Sequence, residues 1–413
     1  MATDDMTTLQ LSRERALVRE LARQVAGIAG EARMAGILRR WHDVNALRRP
    51  DRAPVWCRPV GCWAEILPPN SLQCCHPWLR ALEYGFRQIL YKRQLDDDTP
   101  VDNCFAVPAV FDVQPANYWG VDITRHHSED AGGAWAYEPS LKGADDFARL
   151  QFPTFTYNPA QTQQHLEQAD DLLGDLLPVQ LVCHAPLSAT LGTTAADLRG
   201  LEQMMLDMCD APELLHRLMA YLRDATLRAM EQVEATGLLT PNTAEPMTTS
   251  DPLGVSPSTG GATFGDCWCM ANSQEFDQVS PAMWEEYCLA YQRPILARFG
   301  AVAYGCCENL TRKLDGVLSI PNLRVVVCSA WTNLDVVLER VGKDYCIMWR
   351  QKASAVVFPE DTTTIRRDLE HGLTRLRGHA YQIVLRELET LAGHPNRLAE
   401  WVTIAKELAE KYA

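Results

Sequence analysis

The sequence of 413 residues contains no run of about 18 apolar residues, so it predicts no membrane-spanning helix. It also contains no run of Lys or Arg, and its formal net charge of −14 argues against a nucleic-acid-binding face. Residues 1–10 are polar and acidic and lack the basic and apolar regions of a signal peptide. We therefore expect a cytoplasmic protein that has neither membrane nor nucleic-acid partners.

Nucleotide-binding motifs are absent as well, since no G-x-G-x-x-G follows the first predicted strand and no Walker motif occurs. Strand and helix patterns alternate from residue 54 onward in about eight units, including a strand over residues 103–113. This pattern predicts an α/β fold, a TIM (β/α)8 barrel over residues 46–413, with a doubly wound open sheet as the alternative. Residues 1–45 form a predicted N-terminal helical extension. Its apolar stripe would cover the barrel or, alternatively, join two copies in a homodimer.

Cysteine is abundant, but none of the 14 cysteines has the C-x-x-C or zinc-finger spacing. In a cytoplasm they are expected to be reduced, and most free cysteines fill protein cores. Three clusters stand out, at residues 74–76, 267–269 and 306–308. We interpret the first as structural. The second has the spacing of metal ligands but no neighbouring His, so core packing is again favoured.

The third cluster belongs to residues 304–309, which read YGCCEN and close an apolar run. A helix pattern follows, so these residues are predicted at the carboxyl end of a strand, where sites of α/β folds lie. Because side chains alternate along a strand, we assign the functional role to Cys307 and a core position to Cys306. The alternative for Cys307 and Glu308 is a buried thiol and a carboxylate favoured by a helix start.

Other candidate side chains follow or approach other predicted strands. His184 follows a strand, Glu275 precedes a helix, and Glu387 follows the last strand. The alternatives are a core His, a helix cap and a surface carboxylate, respectively. Aromatic and cationic residues near strand ends can form the walls of a substrate pocket, although each aromatic residue is more often part of a core. These candidates are Trp268, Tyr304, Trp349 and Arg350.

Several stretches of the sequence resemble motifs of the uroporphyrinogen decarboxylase superfamily, in the order and spacing of that family. The resemblance implies a TIM barrel and covers roughly residues 45–413. The stretches are residues 49–56 (RPDRAPVW), 184–190 (HAPLSAT), 210–215 (DAPELL) and the segment that starts with Ser280 and Pro281.

The superfamily contains decarboxylases and corrinoid-dependent methyltransferases. This sequence differs from the typical motifs of both branches. The decarboxylase grips porphyrin carboxylates with an arginine pair, of which only Arg58 has a counterpart. The methyltransferase branch carries a His-x-Cys zinc pair, which falls on Gly305 and Cys307. Its final zinc-binding Cys is replaced by residues 386–389 (RELE). The resemblance therefore favours the methyltransferase branch with an altered ligand set.

The resemblance implies zinc held by Cys307, Glu387 and either Glu275 or Glu308, since zinc accepts carboxylate oxygens. It implies transfer of a methyl group from a small methylated substrate, with methoxylated aromatics favoured, to the cobalt of a separate corrinoid protein. Glu308 and His184 are the expected catalytic side chains, and no Asp-x-His-x-x-Gly run indicates a cobalamin domain in this chain. The alternatives are a lyase acting on a small carboxylate without metal and a non-catalytic partner of a corrinoid protein.

Overall fold

The computed structural model describes residues 8–127, 135–254 and 261–413. The chain alternates strands and helices, as the sequence predicts. The strands are β1 (Val55–Pro59), β2 (Phe105–Pro108), β3 (Phe111–Gln114), β4 (Thr124–His127), β5 (Trp135–Glu138), β6 (Thr154–Tyr157), β7 (Val179–Val182), β8 (Trp268–Ala271), β9 (Ala301–Tyr304), β10 (Leu323–Cys328), β11 (Cys346–Arg350) and β12 (Ala380–Leu388).

The helices surround these strands and occupy most of the remaining chain. A π-helical turn, Glu285–Leu289, joins α9 to α10. The α-helices are α1 (Thr8–Ala29), α2 (Arg33–Asn45), α3 (Trp63–Ile66), α4 (Pro77–Leu95), α5 (Pro159–Leu173), α6 (Leu191–Arg199), α7 (Leu201–Asp210), α8 (Pro212–Glu234), α9 (Pro281–Trp284), α10 (Ala290–Leu296), α11 (Leu314–Leu318), α12 (Leu334–Val341), α13 (Ser354–Val357), α14 (Thr363–Leu376) and α15 (Arg397–Lys411). Short 3₁₀ helices occur at Pro69–Ser71, Ala144–Arg149, Phe264–Asp266 and Gln274–Phe276.

Six strands form one curled parallel sheet in the order β1-β12-β11-β10-β9-β8. A separate parallel ladder pairs β2 with β7, and antiparallel ladders pair β3 with β6 and β4 with β5. The α/β architecture is confirmed as a half-barrel. In the described residues, no ladder joins β1 to β2 or β7 to β8. The predicted single strand over residues 103–113 is instead two, because Pro108 ends β2 and cannot donate to a ladder.

Alternate residues of each sheet strand face opposite layers. Ala303, Val327 and Met348 belong to an apolar cluster on the concave side. Their neighbours along the strands, such as Tyr304 and Trp349, belong to the core between the sheet and the outer helices. This alternation decides which strand residues can reach the site.

The N-terminal extension packs on the body of the protein. The helices α1 and α2 are separated around Gly30, and Trp41 of α2 is fully buried in the concave cluster. Arg40 pairs with Asp98, and the Asn45 side chain donates to the backbone oxygens of Met247 and Thr249. The extension therefore covers apolar surface of the same chain.

Two sequence expectations concern membranes and thiols. None of the described helices is long and apolar enough to cross a membrane. All 14 cysteines lie in the described ranges and are unpaired by disulfides.

Candidate functional site at the carboxyl edge of the sheet

Gly305 directly follows β9 and turns the chain toward the two thiols. Its φ of +114° is disfavoured for residues with a side chain, and its N–H donates to Ala271 O at 2.8 Å. A Cβ atom at this position would lie 2.9 Å from both Leu310 Cδ1 and Val327 Cβ. The position therefore requires glycine, and a metal-binding His cannot be accommodated here without movement of its neighbours.

The two thiols after Gly305 lie side by side. Cys306 Sγ is 3.6 Å from Cys307 Sγ, which is 3.4 Å from Oε1 of Glu387. Both cysteines are half-buried, so the expectation of Cys306 as a buried core residue is wrong. Strand alternation ends at Gly305 because its φ is positive, and beyond it the rule no longer separates the two side chains.

Three arginines from neighbouring strands surround these thiols. Arg350 at the end of β11 is fully buried and donates from Nη1 to Cys306 O at 2.8 Å and to Glu387 Oε1 at 2.6 Å. Arg386 of β12 donates to Cys306 Sγ at 3.1 Å. Burial lowers the pKa of Arg58 on β1, and the charges of Arg386 and Arg350 lower it further.

The thiols share one negative charge. The hydrogen bond from Cys307 lowers the pKa of Cys306 to about 5, with help from Arg386 and Arg350 and against the effect of burial. The same hydrogen bond, burial and the Glu387 carboxylate raise the pKa of Cys307. These surroundings therefore favour the thiolate form of Cys306 and the thiol form of Cys307.

Glu387 brings a carboxylate to the thiols from β12. Its φ of +60° lies in the left-handed region, which is uncommon for a residue with a side chain. Its Oε2 atom is buried and has no hydrogen-bond partner among the described residues. Strained residues with unsatisfied polar atoms are concentrated at functional sites. Glu387 is thus the predicted ligand that the structure does bring to Cys307.

Glu308 braces the loop that carries the thiols. It is 2% exposed, its Oε1 accepts from Ser273 N–H at 2.8 Å, and its Oε2 accepts from Cys306 N–H at 2.8 Å. Burial raises the pKa of its carboxyl group. Both oxygens are therefore occupied in fixing the loops after β8 and β9.

Glu275 and His184 lie apart from this cluster. Glu275 Oε1 accepts from Thr193 Oγ1 at 2.6 Å, so Glu275 contacts α6 rather than the thiols. His184 follows β7 and is exposed. Partial desolvation of its ring by the neighbouring protein lowers the pKa of His184, while the carboxylate of Glu245 opposes that shift.

The three candidate aromatic residues do not come together in one pocket. Trp268 is the first residue of β8, at the opposite end of the strand, and its Nε1 donates to Ser250 Oγ at 2.8 Å. Tyr304 is buried and donates to Gln292 Oε1 at 2.8 Å. Trp349 packs against Gly372 of α14. Of the candidate substrate residues, Arg350 alone is recorded in contact with the thiol cluster.

A cavity of about 720 Å³ lies between β1, α4 and residues 242–248. The sequence gives no motif for most of its polar residues, which come from separate loops. Arg58 is an exception, because it shares the concave register of Trp56 on β1. The residues that line this cavity include Trp56, Arg58, Trp63, Asp102, Glu245 and Met270.

The two thiol sulfurs and Oε1 of Glu387 are the candidate donors for zinc. Ligands of tetrahedral zinc bound through sulfur and oxygen lie about 3.5 to 3.8 Å apart. The sulfur–sulfur distance of 3.6 Å lies within this range, and the sulfur–oxygen distance of 3.4 Å lies just below it. Yet no group of three or more His, Cys, Asp or Glu around one metal position is found within the described ranges. Arg350 and Arg386 contact these donors, so guanidinium groups supply the positive charge that a metal ion would supply. Zinc binding at these donors would therefore require both guanidinium groups to move away.

No protein-family model matches the chain, and no curated protein matches it. The fold and the site define an α/β protein with a half-barrel sheet. At the carboxyl edge of that sheet lie two thiols, three arginines and Glu387, a carboxylate residue with a left-handed backbone conformation.

Proposed function

We propose that this chain is a zinc-dependent methyltransferase that moves a methyl group from a small methylated substrate to the cobalt of a separate corrinoid protein. The observation that carries the proposal is the contact of Cys307 with Glu387 Oε1, with Cys306 at its side. We also propose that the β2–β7 ladder completes a TIM barrel with the six-stranded sheet. The motif order that resembles the uroporphyrinogen decarboxylase superfamily supports both.

Cys306, Cys307 and Glu387 are the residues that would hold zinc. Bound zinc would act as a Lewis acid that makes the demethylated group a better leaving group. Glu308 fixes the loop of the two thiols. Arg350 and Arg386 contact Glu387 and Cys306 and would move aside when zinc binds. The lowered pKa of Cys306 favours the thiolate, which is the form that binds a metal ion.

The carboxyl edge also offers a surface for the corrinoid partner. Trp331 follows β10 and is 51% exposed, while Phe358 follows α13 and is 63% exposed. Exposed aromatic residues are enriched where protein partners dock. Trp331 lies in the loop that directly follows β10, and Phe358 lies after the short helix α13 that follows the neighbouring strand β11. This supports a docked partner that delivers its cobalt to the site.

A metal-independent lyase acting on a small carboxylate is the second candidate function. The convergence of Arg58, Arg350 and Arg386 favours it, since guanidinium groups bind carboxylates strongly. In that case the arginines bind the substrate carboxylate, and zinc plays no part.

A reconstituted assay separates the two functions. Zinc-loaded protein is mixed with cob(I)alamin and with ether, amine or thioether methyl donors, and the formation of methylcobalamin is followed by absorbance. We expect transfer that falls at least about a hundredfold in Cys307→Ser and persists in Cys209→Ser, which alters an exposed thiol on α7. Absence of transfer from every donor, or an unchanged rate in Cys307→Ser, would overturn the proposal. Release of carbon dioxide from a candidate acid would favour the lyase.

A further inference from the structure

Cys306 and Cys307 are neighbours both in the sequence and in space. Their sulfur atoms are 3.6 Å apart, and both side chains are half-buried at the carboxyl edge of the sheet, within reach of a small solute. A disulfide bond is about 2.0 Å long, so each sulfur would need to move by less than about 1 Å to form one. The two thiols are therefore placed for oxidation to a disulfide.

The surroundings of the two sulfurs give them different roles. Arg386 donates to Cys306 Sγ at 3.1 Å, and a cation beside a sulfur favours its nucleophilic form. Cys307 Sγ instead lies 3.4 Å from a carboxylate oxygen of Glu387. Cys306 is thus the sulfur that attacks an oxidant, and Cys307 is the neighbour that resolves the product. Either order of attack gives the same disulfide, because the two sulfurs are in contact.

A second pair of adjacent cysteines provides a comparison within the same chain. Cys74 is buried and Cys75 is exposed, and no hydrogen bond joins their sulfurs in the described ranges. Cys74 Sγ lies 4.0 Å from the backbone oxygen of Glu14. Adjacency in the sequence alone therefore does not bring two thiols together, and their contact at residues 306 and 307 is a property of the fold.

We propose that Cys306 and Cys307 form a reversible disulfide bond when hydrogen peroxide reaches the site. The sulfur of Cys306 attacks one peroxide oxygen, the oxygen–oxygen bond breaks, and the hydroxide that leaves takes up a proton to become water. Cys306 then carries a sulfenic acid. The sulfur of Cys307 attacks the Cys306 sulfur, the sulfur–oxygen bond breaks, and the departing hydroxide takes the Cys307 proton. In total, two thiols and one peroxide give one disulfide and two water molecules.

The backbone around Cys306 makes this disulfide easy to reduce. The Cα atoms of adjacent residues are about 3.8 Å apart, below the usual disulfide range of about 4.4 to 6.8 Å. Glu308 accepts from the Cys306 N–H, and Arg350 donates to the Cys306 oxygen, each at 2.8 Å, so the backbone resists adjustment. Strained disulfides are the labile ones. Two molecules of a small thiol would therefore restore both cysteines and form their own disulfide.

Oxidation of this pair would remove two of the three proposed zinc donors, because the thiolate is the form of cysteine that binds metals. The reduced pair would bind zinc, and the oxidised pair would not. This consequence rests on the proposed function, whereas formation of the disulfide does not. The modification therefore makes the proposed metal site sensitive to oxidants.

Peptide mass spectrometry of the full-length, chelator-treated protein tests the disulfide without any turnover. Trypsin cleavage after Arg298 and Arg312 yields residues 299–312, whose only cysteines are Cys306 and Cys307. After treatment with about one equivalent of hydrogen peroxide, this peptide should be lighter by two hydrogen atoms and should not react with iodoacetamide. Dithiothreitol should restore both thiols. We expect these thiols to be lost at least about tenfold faster than those of residues 74 and 75.

Variants identify the thiol that resolves the oxidised product. In Cys307→Ser, Cys306 should gain oxygen atoms instead of losing hydrogen, since no neighbouring thiol removes the sulfenic acid. Cys209→Ser alters an exposed thiol of α7 and should form the disulfide as wild type does. Thiols at residues 306 and 307 that survive peroxide, or equal rates at the two adjacent pairs, would overturn the inference.

Zinc binding by the oxidised protein separates this inference from the proposed function. We expect the oxidised protein to bind less than about a third of the zinc bound by the reduced protein, with recovery after dithiothreitol. Full zinc binding by the oxidised protein would refute the link between oxidation and the metal site. A disulfide in a protein that binds no zinc in either state would refute the proposed function and support this inference. Methyl transfer by a protein whose thiols resist peroxide would refute this inference alone.

Discussion

Oε1 of Glu387 accepts a hydrogen bond from Arg350 at 2.6 Å and lies 3.4 Å from the sulfur of Cys307. The same carboxylate oxygen thus faces a fixed cation and a thiol. Its second oxygen is buried without a partner among the described residues. Arg350 and a metal ion would compete for this carboxylate, which ties metal affinity to the position of one guanidinium.

Replacement of Gly305 by Ala should be more costly than replacement of an uncrowded glycine. Both the positive φ and the contacts at 2.9 Å with Leu310 and Val327 oppose a Cβ here. We expect Gly305→Ala to lower the free energy of unfolding by about 2 to 4 kcal/mol, measured by urea denaturation.

Gly237→Ala is the matched control for the glycine prediction. Gly237 has a φ of +68°, but a Cβ there would meet nothing within 4 Å. It should cost only about 1 kcal/mol, from backbone strain alone. Equal losses in the two variants would show that crowding at Gly305 is unimportant.

Helix-capping residues, apolar runs and the alternation of side chains along a strand predict much of the fold. Ser280 and Pro281 predict a helix start, and Ser280 Oγ accepts from Met283 N–H in α9. The apolar runs over residues 323–328 and 345–349 of the sequence predict strands, and β10 and β11 lie within a residue of these bounds. The period of two along a strand already separates Trp349 from Arg350, so both could not face one pocket. By the same rule Arg350, two residues after Met348, faces the concave side, and Trp349 faces the outer helices.

The site itself depends on features that local rules do not contain. The thiols meet because Gly305 takes a positive φ, and Glu387 reaches them from a left-handed backbone conformation. Arg58, Arg350 and Arg386 converge because β1, β12 and β11 are neighbours in the sheet, although β1 lies far away in sequence. Such long-range order cannot be derived from spacing along one chain.

The Cys306 thiolate should react with iodoacetamide at low pH in chelator-treated protein. Since its pKa is lowered to about 5, its alkylation should remain fast at pH 6, as followed by mass spectrometry. Arg386→Met removes a cation that favours the thiolate and should slow this reaction several-fold at pH 6. The exposed thiol of Cys209 serves as the reference within the same protein. A rate unaffected by Arg386→Met would contradict the assigned cause.

The same shift makes stability depend on pH in a defined direction. A thiol whose pKa is lower in the folded state stabilises the fold above the pKa of the unfolded thiol. This stabilisation is lost as the pH falls toward about 5. Wild type and Cys306→Ser should therefore differ most in unfolding free energy near pH 9 and converge near pH 5, and the reverse trend would contradict the shift.

Glu308→Gln tests whether the hydrogen bonds of the Glu308 carboxylate stabilise the loop that carries the thiols. An amide has one acceptor oxygen, so it cannot accept from both Ser273 N–H and Cys306 N–H as the carboxylate does. We expect a loss of about 1 to 3 kcal/mol in unfolding free energy. Glu339→Gln changes an exposed carboxylate on α12 and should be neutral. A neutral Glu308→Gln would mean that the loop does not need this carboxylate.

Zinc stoichiometry of the purified protein tests the proposed metal site most directly. Wild type and the Cys209→Ser control should each bind about one equivalent of zinc after dialysis. Cys307→Ser and Glu387→Gln should retain less than about a third of an equivalent, because each removes one of three donors. Wild-type protein that binds less than about half an equivalent, or variants that bind as much as wild type, would contradict a zinc site at these residues.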